Sequence, residues 1–235
     1  MMVLKHDDGV LGHHACNQSK GVIMEIDAPL QVKGHHVHQR HFDRLVMLSD
    51  GVFAIAMTLS AVELKPVARP GESLAQVWGV PLLTYFVSFA IIGGVWMRHR
   101  RALAHLRHVD MPLTLINMLL LSLVALMPVV IRVLLSDEGG VTSDGMLIYA
   151  LSLAANYACL ATAWGYAAFI ADLAPEVPRA RAWGWLLQEI FVAVVFGAVA
   201  LYSVQLKWAA LLAVLVGLAL RAGSLRLERA AKIQG

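Results

Sequence analysis

Hydrophobic residues in this chain come in long blocks separated by short polar stretches. The first block, Arg44 to Leu64, reads RLVMLSDGVFAIAMTLSAVEL, polar at its ends and apolar or small between them. A bilayer core needs about 20 residues of helix, which this run supplies. Further blocks run from about Leu74 to Met97, Pro112 to Leu135, Gly145 to Ile170, Trp183 to Ser203 and Trp208 to about Leu220. Pro66, Pro70 and Gly71 break the chain after the first block. The pattern predicts an all-α polytopic membrane protein with six transmembrane helices.

The loops set an orientation. RHRRALAHLRHVD, between the second and third blocks, is the densest basic stretch, and the loop after the fourth carries Arg179 and Arg181. Positively charged loops stay on the cytoplasmic side. The short acidic loop SDEGGVTSD then faces outward and both termini lie in the cytoplasm. Trp183, Trp185, Tyr202 and Trp208 sit at block ends, where an aromatic belt is expected. Residues 1–43 read as a polar, His-rich cytoplasmic tail, 44–223 as the six-helix domain and 224–235 as a basic cytoplasmic tail. No apolar signal core precedes the first block, so that helix is expected to act as the insertion signal of a multi-pass protein of the inner (plasma) membrane.

Composition supports the same class. Of 235 residues, 59% are hydrophobic and 15% charged, with a mean hydropathy of +0.67. Lipid must accept so much apolar surface. The net charge of +3 is spread over short loops, which argues against a nucleic-acid partner. Cys16 and Cys159 read as two unpaired thiols. The histidines of the tail, His6, His13, His14, His35, His36, His38 and His41, form a tract of a kind that can bind metal, but the reading preferred is a solvated segment, with Met24 as an alternative start; no metal site is assigned.

On the first block, Gly51, Ile55, Thr58, Leu59 and Val62 recur at i, i+4, i+7, i+8 and i+11, one narrow helical face carrying a single hydroxyl. Asp50, a carboxylate inside a membrane helix, is a candidate functional group, with Arg44, Trp96 and His99 as candidate partners. The alternative is that Ser49 and Asp50 merely cap the helix. Asn117 can hydrogen-bond between helices, while Asn156, Thr162, Tyr166, Gln188 and Glu189 carry no assignment. No G-x-S-x-G, H-E-x-x-H, phosphate loop or CxxC supports an enzyme.

The same first block resembles the prokaryotic transmembrane-protein-175 family, relatives of the lysosomal potassium channel, whose signature is R-x-x-x-F-S-D followed by G-x-F-A-I-A-x-T-L. Arg44, Ser49 and Asp50 match, with Leu48 in place of the usual Phe. Trp96 and His99 match a W-x-x-H at the end of the second helix, and Asn117 and Pro128 match the third. The likeness spans about residues 44–128. It implies a homotetramer in which the first helix of each subunit lines a pore. Ile55 would form the hydrophobic constriction, Leu59 and Val62 further rings, and Thr58 a hydroxyl layer linked to selectivity. Ala54 stands where some relatives have Ser.

The motif network would comprise Arg44, Ser49, Asp50, Trp96, His99 and Asn117. The implied function is a passive cation channel without a cofactor beyond its permeant potassium, its partners being monovalent cations, lipid and further copies of itself. A ring of branched apolar side chains gates by dewetting. With no TVGYG-type filter in the chain, only modest potassium-over-sodium selectivity is expected. Glu63, Asp137, Glu138 and Asp144 would concentrate cations at the outer mouth, diluted by Lys65 and Arg69. Two alternatives remain open: a proton channel or proton-coupled transporter, and an intramembrane enzyme or assembly factor using His99 and Asp50.

Overall fold

The computed structural model describes residues 28–64, 66, 68, 70–135 and 141–233. Cys16, Met24, His6, His13, His14, Lys65, Arg69, Asp137 and Glu138 lie outside these, as do the side chains of residues 28–39. The chain divides into two compact units, Met1–Asp43 and Arg44–Gly235. Of the first unit, residues 28–43 are described and are helical. The second unit carries everything below.

The helices are α1 (Ala28–Val62), α2 (Leu74–Leu103), α3 (Met111–Ala125), α4 (Met127–Leu134), α5 (Ser143–Gly165), a π-helical turn (Tyr166–Ile170), α6 (Arg179–Ser203) and α7 (Lys207–Ile233). Among the described residues, six stretches are long and apolar enough to cross a membrane: Arg40–Val62, Leu74–Leu103, Met111–Leu134, Ser143–Ile170, Arg179–Ser203 and Lys207–Leu227. The all-helical, six-span expectation is met; the only β contact described is a single bridge between Leu135 and Val141.

Several boundaries differ from the sequence reading, each for a local reason. Helix α1 begins at Ala28, inside the expected tail, so Ser49 and Asp50 lie in mid-helix and cap nothing. Helix α2 runs through RHRRAL to Leu103, because no Pro or Gly interrupts it there. That extension puts His99 on a helix rather than at a loop edge. The third block is two helices that meet at Leu126, just before Pro128, whose ring and missing N–H break the ladder. Helix α7 continues to Ile233, through most of the expected basic tail.

Starts and stops follow ordinary capping chemistry. Ser73 and Gln76 form a reciprocal capping box at the head of α2. Asp110 accepts from the Leu113 N–H at the head of α3, and Thr142 from the Gly145 N–H at the head of α5. Gly71, with φ of 88°, makes the turn before α2 that a side chain would strain.

One core joins α1 to α5, built around Phe53, Ile92, Leu120, Ile131, Leu153 and Tyr157. Ser88 and Tyr149 share a buried 3.0 Å hydrogen bond within it, tying α2 to α5. A second apolar cluster, around Trp164, Ala174 and Ala182, closes the end where α5 finishes and α6 begins.

Candidate functional site: the two faces of the first helix

Helix α1 has a buried face and an open one. Leu45, Ser49, Phe53, Ala56 and Ser60 are buried, at spacings of three or four. Each serine hydroxyl donates to the carbonyl four residues back, 2.8 Å for Ser49 and 2.7 Å for Ser60, so neither leaves a free donor in the packed interior.

Onto this buried face a polar chain descends from α2 and α3. The Ser49 proton is committed to Leu45, so its oxygen must accept, and Asn117 Nδ2 donates to it at 3.2 Å. The Asn117 carbonyl then faces His99, whose Nε2 lies 2.5 Å away and must carry the proton. His99 Nδ1 is buried and has no hydrogen-bond partner among the described residues. Phe53, which the sequence reading did not single out, packs a ring 5.5 Å from that imidazole.

Asp50, half-buried between the two faces, accepts a 2.7 Å hydrogen bond from the Trp96 indole N–H. Arg100 sits over the other side of that indole, 5.2 Å from the ring centroid. The structure thus brings together Ser49, Asn117 and His99 in one chain, and Asp50 and Trp96 in a second. Arg44 joins neither: it is exposed, and among the described residues no hydrogen bond or ion pair links it to Asp50.

The other face of α1 is open in the single chain. Ile55 is 58%, Leu59 47% and Val62 69% exposed, and Gly51, Ala54 and Thr58 share the face. The Thr58 hydroxyl donates back to the carbonyls of Ala54 and Ile55, each at 3.0 Å. Its proton is therefore spent within the helix, and its oxygen lone pairs are presented outward.

Two ion pairs escaped the sequence reading. Glu63, counted there among the negative charges at the outer mouth, is ion-paired with Arg132 of α4. Glu189 of α6 pairs with Arg98 of α2 at 2.8 Å, and Arg98 also lies over the Tyr157 ring. Partners 69 and 91 residues apart leave no mark in local spacing.

These features define a class: a multi-pass helical membrane protein whose first helix is locked on one side by buried polar bonds and left open on the other. Residues 44–128 match the family model described as "Endosomal/lysosomal potassium channel TMEM175". The chain is 36% identical over 90 residues to "Potassium channel B446_29190" of Streptomyces collinus, covering 36% of this chain and 43% of that protein. It is 30% identical over 129 residues to the "Endosomal/lysosomal proton channel TMEM175" of Bos taurus, covering 44% of this chain and 26% of that one. The chain therefore spans less than half the length of either relative. No solved structure matches.

Proposed function

We propose that this chain is one subunit of a passive, potassium-permeable cation channel, with the open face of α1 lining the pore of a homotetramer. The observation that carries this reading is that face: a continuous exposed strip of Gly51, Ile55, Thr58, Leu59 and Val62, uncovered among the described residues, on the helix that bears the family signature. Four copies facing a common axis would set Ile55 as the dewetting constriction, with Leu59 and Val62 as outer rings. Thr58, its proton turned inward, would offer a ring of oxygen acceptors to a partly dehydrated cation. Selectivity built from apolar rings and one hydroxyl layer is modest. The buried bonds of Ser49, Asn117 and His99 hold α1 in the rotation that aims this strip at the axis.

The basic loops orient both termini toward the cytoplasm, in a bacterial-type inner (plasma) membrane. The reading gives the chain no enzymatic role, in keeping with a matched family and relatives named as channels.

The test is ion flux through purified protein in liposomes loaded with potassium or sodium, with a proton-sensitive dye as readout. Potassium flux that requires an ionophore for proton balance, and that rises about tenfold in Ile55→Asn, supports the pore and its constriction; a polar ring lowers a dewetting barrier, and tenfold is about 1.4 kcal/mol. Absence of cation flux from well-folded oligomers would sink it. A second reading, a proton channel, is favoured by the name of the bovine relative. It predicts dye response without ionophore. Residues 51–62 contain nothing titratable, so protons would need a water file through the Ile55 ring.

A further inference from the structure

His99 sits near the end of α2 and is 4% exposed. Its Nε2 gives a proton to Asn117, while its Nδ1 is buried without a hydrogen-bond partner among the described residues. Around the ring lie the Phe53 side chain and an enclosed cavity of about 20 Å³, whose wall His99 and Asn117 share with Leu103, Leu113, Leu160 and Trp164. A space of that size admits about one water molecule. A bare ring nitrogen is tolerated in such surroundings far better than a second N–H carrying a positive charge, because an unpaired buried charge costs much more than an unpaired polar atom.

The helices packed around the ring do not hand it a counter-ion. On α1, Asp50 stands one turn before Phe53 and its field reaches the imidazole, but its hydrogen bond goes to Trp96, and Arg100 lies over that indole. On α2 itself the neighbouring charges are positive, and Arg98 is paired with Glu189 of α6. Helix α3 carries no ionisable residue, and Asp110 at its head is taken up by the Leu113 N–H and the Tyr166 hydroxyl. The α5 side chains in the cavity wall, Leu160, Ala163, Trp164 and Ala167, do not titrate.

We propose that His99 is an acid-sensitive latch on α1: the neutral ring completes the Ser49–Asn117–His99 bonds that fix the helix, and a charged ring leaves its site and frees α1 to turn, so that acid lowers cation flux. The bond to Asn117 needs only the Nε2 proton, which both forms of the ring carry. The second proton therefore acts through its charge and not by removing that bond. Histidines of an unfolded chain charge below about pH 6.5. A fold that admits only the neutral ring keeps its stability above that value and loses it as the pH falls past it. The effect on flux rests on the channel reading, whereas the effect on stability does not.

The test is thermal unfolding of the full chain in detergent and rubidium flux through it in liposomes, with the same pH on both sides of the membrane. Between about pH 7.5 and 5.5 the native unfolding midpoint should fall and flux should drop about tenfold, within the roughly hundredfold that one proton per subunit allows over two units. The amide of His99→Gln can still donate to Asn117 but cannot charge. Relative to that variant's own neutral-pH values, its midpoint should hold and its flux should change less than about twofold over the same range. His108→Gln, at an exposed histidine of the next loop, should keep the native response. If His99→Gln does not fold, NMR of isotope-labelled histidine in the native chain decides: the ring shielded from solvent exchange must charge over the range in which flux is lost. An acid response undiminished in His99→Gln, abolished in His108→Gln, or absent from a native chain that conducts at neutral pH would overturn the proposal. If folded protein conducts at no pH, the channel reading fails and the midpoint decides: acid destabilisation that His99→Gln leaves in place overturns the latch.

Discussion

Asn117 shows how much one side chain decides. It is the only link between His99 and Ser49 in the chain of bonds described, accepting from one and donating to the other, and all three are at most 4% exposed. Asn117→Leu keeps the volume but strands the His99 N–H and removes the donor to Ser49. Leaving a buried donor unpaired costs about 1–3 kcal/mol. Thermal unfolding in detergent should therefore begin several degrees lower, and Ser49→Ala, which deletes the hydroxyl but leaves the His99 bond, should cost less. A Leu variant as stable as the native chain would mean that the network does not hold α1.

At the scale of elements, the start of α5 is built around a missing side chain. A Cβ on Gly145 would lie 2.6 Å from the Val133 carbonyl oxygen and 2.8 Å from the Leu134 Cα, both backbone atoms of α4. Neither can swing aside as a side-chain tip would. Gly145→Ala should therefore push α5 away from α4 and cost about 1–3 kcal/mol despite Ala being the better helix former. The expected readout is a lowered unfolding midpoint. By contrast, Gly51→Ala meets nothing within 4 Å and should leave that midpoint unchanged or slightly raised.

The whole molecule sets the charge at the mouth of the proposed pore. Glu63 follows the last apolar ring by one residue and is mostly buried against Arg132, whose own side chain is 52% exposed. In the proposed tetramer, four such arginines would offset the attraction that four glutamates exert on cations. Arg132→Gln should raise potassium flux roughly twofold at about 0.01 M salt, where charges act over about 30 Å, and much less near 1 M. Equal flux at both salt levels would place this pair outside the permeation path.

The six spans, their order and the helical character were legible from residues alone, because lipid demands about 20 apolar residues per crossing and the chain breaks each run with Pro, Gly or charge. The open strip on α1 was legible too, since Ile55, Thr58, Leu59 and Val62 repeat at helical period and a face is a local property. Partnership was legible only as a choice. Arg44, Trp96 and His99 were all candidates for Asp50, and the structure gives the bond to Trp96, 46 residues away, and none to Arg44, six residues away, among the described residues. Glu63 was read as mouth charge until α4 brought Arg132 to it, and Glu189 had no assignment until α2 and α6 met. Which side chain answers a buried charge depends on which helices touch. Periodicity determines the faces of each helix in isolation, whereas packing among distant helices alone chooses what each face meets.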